Sequence, residues 1–267
     1  MLEIITNFFQ QILYTFGVIA IFGLFFSLCR KGFCKLLGST GVFIINYIFG
    51  IVGTPVHELS HAIFCLIFGH RITGIDLYSP DDGDDALGYV THDYDDDNLY
   101  HKIGLFFIGV GPVLGGSAVI LILMYYLMPD LYNVMMVDIN QITIDNNYIF
   151  NYLTVIGNTV PMVFNNIYFS SDYYWIFLVL ALMIASHMEL STADIRGAKT
   201  GLTFLLIVLF VIDAVVYMID SRLLQTITIG TSYFGLFMAK ILIIGAVFNV
   251  ALLVVALFLK VVLKILR

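Results

Sequence analysis

Charge is scarce in this chain. Only 12% of its 267 residues are Asp, Glu, Lys or Arg, while 60% are hydrophobic, against roughly 45–50% apolar residues in soluble domains. With a mean hydropathy of +0.97, a water-soluble globule is excluded and a lipid bilayer is the expected surrounding. Basic residues are scarcer still: twelve Lys and Arg against nineteen Asp and Glu leave a net charge of −7 and no continuous basic stripe, which argues against a nucleic-acid partner. Cysteine is limited to Cys29, Cys34 and Cys65, an odd number without zinc-ribbon spacing, so free thiols are expected. The first residues, MLEIITNFFQ, lack a basic n-region and a small-residue cleavage site, so a retained first helix is expected rather than a signal peptide. No internal repeat, low-complexity linker or separate soluble domain is legible, and residues 1–267 read as one integral membrane domain.

What is abundant is apolar length. Residues 7–29, 103–128, 173–190, 201–219 and 235–262 each reach or approach the length that crosses ~30 Å of hydrocarbon at ~1.5 Å per residue. Segment 36–70 is too long for one straight span and too short for two. The expected fold is therefore an all-α polytopic membrane protein with about six transmembrane helices, one of them re-entrant or broken. Thr54-Pro55 is the expected break, because threonine caps helices well and proline suits the first helical position. The alternative is one long kinked helix.

Basic residues give an orientation. Arg30, Lys31 and Lys35 follow the first span, Arg196 and Lys199 follow 173–190, and Lys260, Lys264 and Arg267 come last, so all three clusters are expected in the cytoplasm. The 129–172 connection has no Lys or Arg and 220–234 has only Arg222; both read as external. Residues 71–102 then lie inside, with partial period-two patterns at Ile72 to Ser79 and Ala86 to His92 that predict a small cytoplasmic β-hairpin. Its tip, Asp81-Asp82-Gly83-Asp84-Asp85, lacks calcium-loop spacing and reads as a solvated turn.

Glutamate is rarer than any other charged residue: Glu3, Glu58 and Glu189 are all there are. One of them sits in His57-Glu58-Leu59-Ser60-His61, an H-E-x-x-H pattern inside apolar segment 36–70. On a helix the two histidines share a face and can hold one metal ion, with Glu58 beside it as general base. Ionisable residues in apolar spans are costly and usually functional. A catalytic zinc site needs a third ligand. Asp194 is favoured, with His187 and Glu189 as alternatives, all three in the stretch Ser186 to Asp194 at the inner end of a span. Ser191-Thr192-Ala193-Asp194 is also capping-box-like, so Asp194 has a helix-start reading beside the metal one. Gly109-Val110-Gly111-Pro112-Val113-Leu114-Gly115-Gly116 reads either as close helix packing or as a locally opened helix lining the site.

These residues together resemble the site-2 protease family of intramembrane zinc metalloproteases. The likeness rests on the 57–61 motif in an apolar helix, the β-like loop after it, Gly111-Pro112, and a later span ending in Asp194 before Gly197. It covers residues 50–200, flanked by a helix at 7–29 and helices at 201–219 and 235–262. It implies one Zn2+ per chain on His57, His61 and Asp194, with Glu58 as the catalytic base. It also implies a transmembrane protein as substrate and a site facing the cytoplasm, a bacterial cell membrane being the expected setting. The family usually carries Asn and Pro upstream of an Asp-Gly pair, where this chain reads His187-Met188-Glu189-Leu190-Ser191-Thr192-Ala193-Asp194-Ile195-Arg196-Gly197, and neither a PDZ nor a nucleotide-sensing domain is legible. Glu189 to Asp194 also resembles the E-x-x-A-D-like motif of membrane metalloproteases that trim prenylated proteins or clear damaged membrane proteins. One residue too many there rotates Glu189 by about 100° on a helix. A non-proteolytic zinc-binding membrane protein is the reading from another class.

Overall fold

The computed structural model of the chain describes residues 2–80, 87–140 and 148–265. Helix dominates, because in hydrocarbon a segment must satisfy its backbone hydrogen bonds internally. The first span runs as α1 (Leu2–Ile12), a π-helical stretch (Leu13–Gly17) and α2 (Val18–Leu37). It ends at Gly38, whose φ of +60° is open to glycine at little cost.

Segment 36–70 resolves into one helix, not two. α3 (Ser39–Phe43), a π-helical stretch (Ile44–Phe49) and α4 (Gly50–Ile67) run as a single span of 29 residues. The expected helix start at Thr54-Pro55 is therefore corrected, and Pro55 lies inside α4. Proline costs a helix one hydrogen bond, but helices in membranes tolerate that loss where neighbours pack around it. Gly69, at φ +72°, then turns the chain into the hairpin.

The hairpin forms as expected, from β1 (Arg71–Asp76) and β2 (Tyr89–Asp93), antiparallel, with Arg71 opposite Asp93 and an irregularity between Ile72 and Gly74. Its acidic tip, Asp81 to Asp85, lies outside the described residues. The chain continues as α5 (Leu99–Gly109) and α6 (Gly111–Leu127), bent by 60° at Val110 with Pro112 in the first turn of α6. The Gly-Pro stretch is thus a break between two helices.

Two expected connections prove helical. Residues 129–172 hold α7 (Pro129–Asn140), α8 (Tyr148–Val163) and a short 3-10 turn (Asn166–Tyr168). The reason lies in spacing: Leu131 with Met135, and Val155 with Thr159 and Val163, are buried at one-turn intervals, enough of an apolar stripe to dock each helix. After α9 (Asp172–Ala185), α10 (Thr192–Ile219) and α11 (Ser221–Ile265) are separated by Asp220 alone. The span expected from 235 begins a full 14 residues earlier, at Ser221, because Leu224, Thr228 and Ser232 bury one face and no Gly-Pro cluster interrupts it.

Among the described residues, four helical runs, Leu2–Leu37, Ser39–Ile67, Thr192–Ile219 and Ser221–Val262, are long and apolar enough to cross a membrane, and the bent α5–α6 pair makes a fifth if it is one span. The sixth expected span corresponds to α9, a shorter apolar helix. α4 exposes Ile51, Leu59, Ile63 and Leu66 while burying Glu58, Ser60 and His61. That pattern is inverted relative to a water-soluble helix, and lipid is the solvent that fits it. The chain is an integral membrane protein.

Two seams hold α9 and α10 in place around α4 and α5. Asn249 Nδ2 of α11 donates to the Ala185 carbonyl at 3.0 Å, fixing the end of α9. α5 meets the first turns of α10 through glycines: a Cβ on Gly109 would lie 2.5 Å from the Asp194 carbonyl oxygen, and one on Gly201 would strike the Phe106 backbone.

Candidate metal centre

α4 carries His57 and His61 on one face, and their Nε2 atoms stand 3.2 Å apart. Each ring is held from behind. His57 Nδ1 donates to the His187 carbonyl at 2.7 Å, and His61 Nδ1 donates to the Ile108 carbonyl at 2.7 Å. A carbonyl only accepts, so both protons are on Nδ1 and both Nε2 atoms present bare lone pairs to each other.

Asp194 completes the group. Its Oδ1 lies 3.3 Å from His61 Nε2 and its Oδ2 3.9 Å from His57 Nε2. The same side chain caps α10: Oδ2 accepts from the Ser191 amide at 2.7 Å while Ser191 Oγ accepts from the Asp194 amide at 3.1 Å. The two readings of Asp194 are compatible, one oxygen closing the capping box while the other faces the imidazoles. Among the described residues, His57, His61 and Asp194 are the one group of His, Cys, Asp or Glu whose ligand atoms converge, all within 4.8 Å. Two imidazole nitrogens and a carboxylate oxygen this close are stabilised by a cation among them, so this donor set fits a metal ion.

The other candidates, His187 and Glu189, line the same cleft but stand outside this group. Glu189 pairs with Arg30 Nη1 at 2.8 Å. His187 contributes its carbonyl to His57, and its ring Nδ1 contacts the Met183 carbonyl at 3.1 Å. Cys29, Cys34 and Cys65 are free.

The group opens into a cleft of about 420 Å³. Arg30, Thr54, Glu58, Ile108 and Gly109 line it, with Leu87 to Val90 and His92 of the hairpin. Glu58 is buried beside the His57, His61 and Asp194 group, and the strand passes close over it: a Cβ on Gly88 would lie 3.0 Å from Glu58 Cγ. Neither the two carbonyls behind the imidazoles nor the approach of residue 88 has a sequence signature. Arg30 was visible only as an orientation charge.

Three further histidines pin the hairpin to the helices. His70 Nε2 donates to the His101 carbonyl at 2.9 Å, so His70 Nδ1 is an acceptor and receives the His92 Nδ1 proton at 3.0 Å. His92 is held below the ordinary histidine range by burial first, then by the neighbouring positive charge that His70 and His61 would carry, with Asp93 opposing. A depressed histidine pKa stabilises the fold above the unfolded value of ~6.5 and loses that contribution as pH falls through the folded value. Acidification to pH ~5 is therefore expected to loosen the hairpin, because a second proton would set two N–H groups against each other. Amide exchange of 71–76 and 89–93 measures it; protection that stays constant from pH 8 to pH 5 would remove this role.

A family model described as Peptidase M50B-like matches residues 34–85. No curated protein and no solved structure matches the chain. The match falls on the segment that carries both histidines, Glu58 and β1, and supports the resemblance of that segment to the site-2 protease family.

Proposed function

We propose that the protein is a zinc-dependent intramembrane endopeptidase, with one Zn2+ per chain, that cuts a transmembrane segment of another membrane protein near the cytoplasmic face. The observation that carries the reading is the convergence of two proton-free Nε2 atoms and the Asp194 carboxylate beside Glu58. Two neutral imidazoles and a carboxylate suit zinc and leave one position open. Held by His57, His61 and Asp194, zinc would supply a Lewis acid for a peptide carbonyl and an acidified water.

The chain's own groups do the rest. Glu58, next to His57 on the same helix, takes the proton of the attacking water and returns it to the leaving amine. The His187 and Ile108 carbonyls hold the imidazoles in the one tautomer that leaves Nε2 free. A membrane helix hides its carbonyls in its own hydrogen bonds, so the substrate must unwind before it reacts. β2 lines the cleft, and among the described residues β1 is its one strand partner, which leaves its other edge open. An unwound segment can pair along that edge, which favours substrates with weak helix formers near the cut. Cytoplasmic placement rests on the basic residues at 196–199 and 260–267; with 39–67 as one span, the expected cytoplasmic position of Arg30, Lys31 and Lys35 is corrected to the opposite face.

Protein purified without chelators is expected to carry about one zinc per chain. Its cleavage of single-span reporter proteins should stop on treatment with phenanthroline and return when zinc is restored. Protein that holds no zinc under those conditions sinks the reading.

A further inference from the structure

Three buried side-chain polar atoms among the described residues have no hydrogen-bond partner: Gln11 Oε1, Thr54 Oγ1 and His187 Nε2. Two of the three, Thr54 and His187, line the cleft that holds the metal group. Buried polar atoms are nearly always paired, so two orphans in one cleft need a partner that arrives from outside.

Thr54 departs from the habit of this chain's helices. Ser60, Ser117, Thr159 and Thr228 each turn their hydroxyl back onto the carbonyl four residues earlier, at 2.6, 2.6, 2.7 and 2.9 Å. Thr54 is as buried as they are and makes no such bond. Its hydroxyl is left without a partner in the wall of the cleft.

His187 has a fixed tautomer. Its Nδ1 is 3.1 Å from the Met183 carbonyl, which can only accept, and 3.0 Å from Ser186 Oγ, whose own proton goes to the same Met183 carbonyl at 2.9 Å. The ring proton is therefore on Nδ1, and Nε2 is a bare acceptor. Space for the ring is built into α4: a Cβ on Gly53 would collide with His187 Nδ1 and the Met183 carbonyl. The residue is also locked to the metal group, since its carbonyl holds His57.

We infer that Thr54 and His187 receive the backbone of the unwound substrate beside the metal group, the Thr54 hydroxyl donating to a substrate carbonyl and His187 Nε2 accepting from a substrate N–H. A donor and an acceptor are what an extended peptide demands, and what a helix with its own bonds made does not offer. The pair thereby selects unwound chain over intact helix. This inference rests on the proteolytic reading and adds to it the state of the substrate that is bound.

The test uses full-length protein in the Glu58→Gln background, so that a bound segment is not consumed, and a labelled synthetic span of about 20 residues, Leu/Ala-rich with a central Gly pair. Thr54→Val and His187→Leu should each weaken binding of this span about tenfold. Thr54→Ser and His187→Gln, which return a hydroxyl and a polar atom of similar reach, should restore most of it. Metal content and the thermal midpoint should match the parent in all four variants. Unchanged binding in Thr54→Val and His187→Leu overturns the inference while leaving the proteolytic reading intact. Loss of metal or folding in those two, without loss of affinity in the molecules still folded, also overturns it and makes the pair structural. A parent that binds no span at all overturns the inference together with the reading beneath it.

Discussion

Glu58→Gln is expected to keep its metal and lower cleavage by about 100- to 10,000-fold, the range supplied by a positioned acid–base group. Glutamine preserves the size and buried position of the side chain, so the imidazoles keep their carbonyl partners and the capping box is untouched. What it lacks is a site for the water's proton. A structural, transport or sensing role for the metal makes the opposite forecast, because none of those needs a base in that place. Cleavage of a reporter by purified wild type and variant, with metal content measured on the same samples, separates them. Full activity in the variant would remove Glu58 from the mechanism and leave the metal without a hydrolytic partner.

Asp194→Ala is expected to empty the metal site, with a loss of affinity beyond the roughly 10- to 100-fold seen when only a partner hydrogen-bonded to a ligand is removed. Glu189→Ala and His187→Ala should retain the ion, since one carboxylate is held by Arg30 and the other residue reaches His57 through its backbone. Titration with zinc against a competing chelator reads all three variants on one scale. A Glu189→Ala protein that loses metal while Asp194→Ala keeps it would reverse the ligand assignment. Part of the effect of Asp194→Ala will be structural, because the Ser191 amide loses its acceptor, a loss worth ~1 kcal/mol at a helix N-terminus. Asp194→Asn separates the two: it leaves a cap and removes the charge.

The five residues His57 to His61 stood out because their arrangement is local: one helix places two imidazoles and a carboxyl together, whatever the rest of the chain does. Span positions were legible for the same reason, since hydropathy is summed over neighbours. Helix ends were not. Thr54-Pro55 looked like a start because capping preferences are written for helices in water, whereas α4 runs through them in surroundings where stopping leaves carbonyls unpaired. Residues 220–234 looked like a loop from their single arginine, yet they continue a helix whose buried face shows only when Leu224, Thr228 and Ser232 are seen packed. The partners of the imidazoles were beyond reach for another reason. They are main-chain oxygens of Ile108 and His187, and any residue type supplies one.

Asp194 belongs both to the group facing the imidazoles and to the knot that begins α10. Holding an ion and holding the first turn of that helix are therefore one mechanical task. A pull on α10 transmitted through the bilayer, or a partner that frays its start, would be felt as a change in grip on the ion. Conversely, an ion held there would brace a helix of 28 residues at the end that faces the cleft.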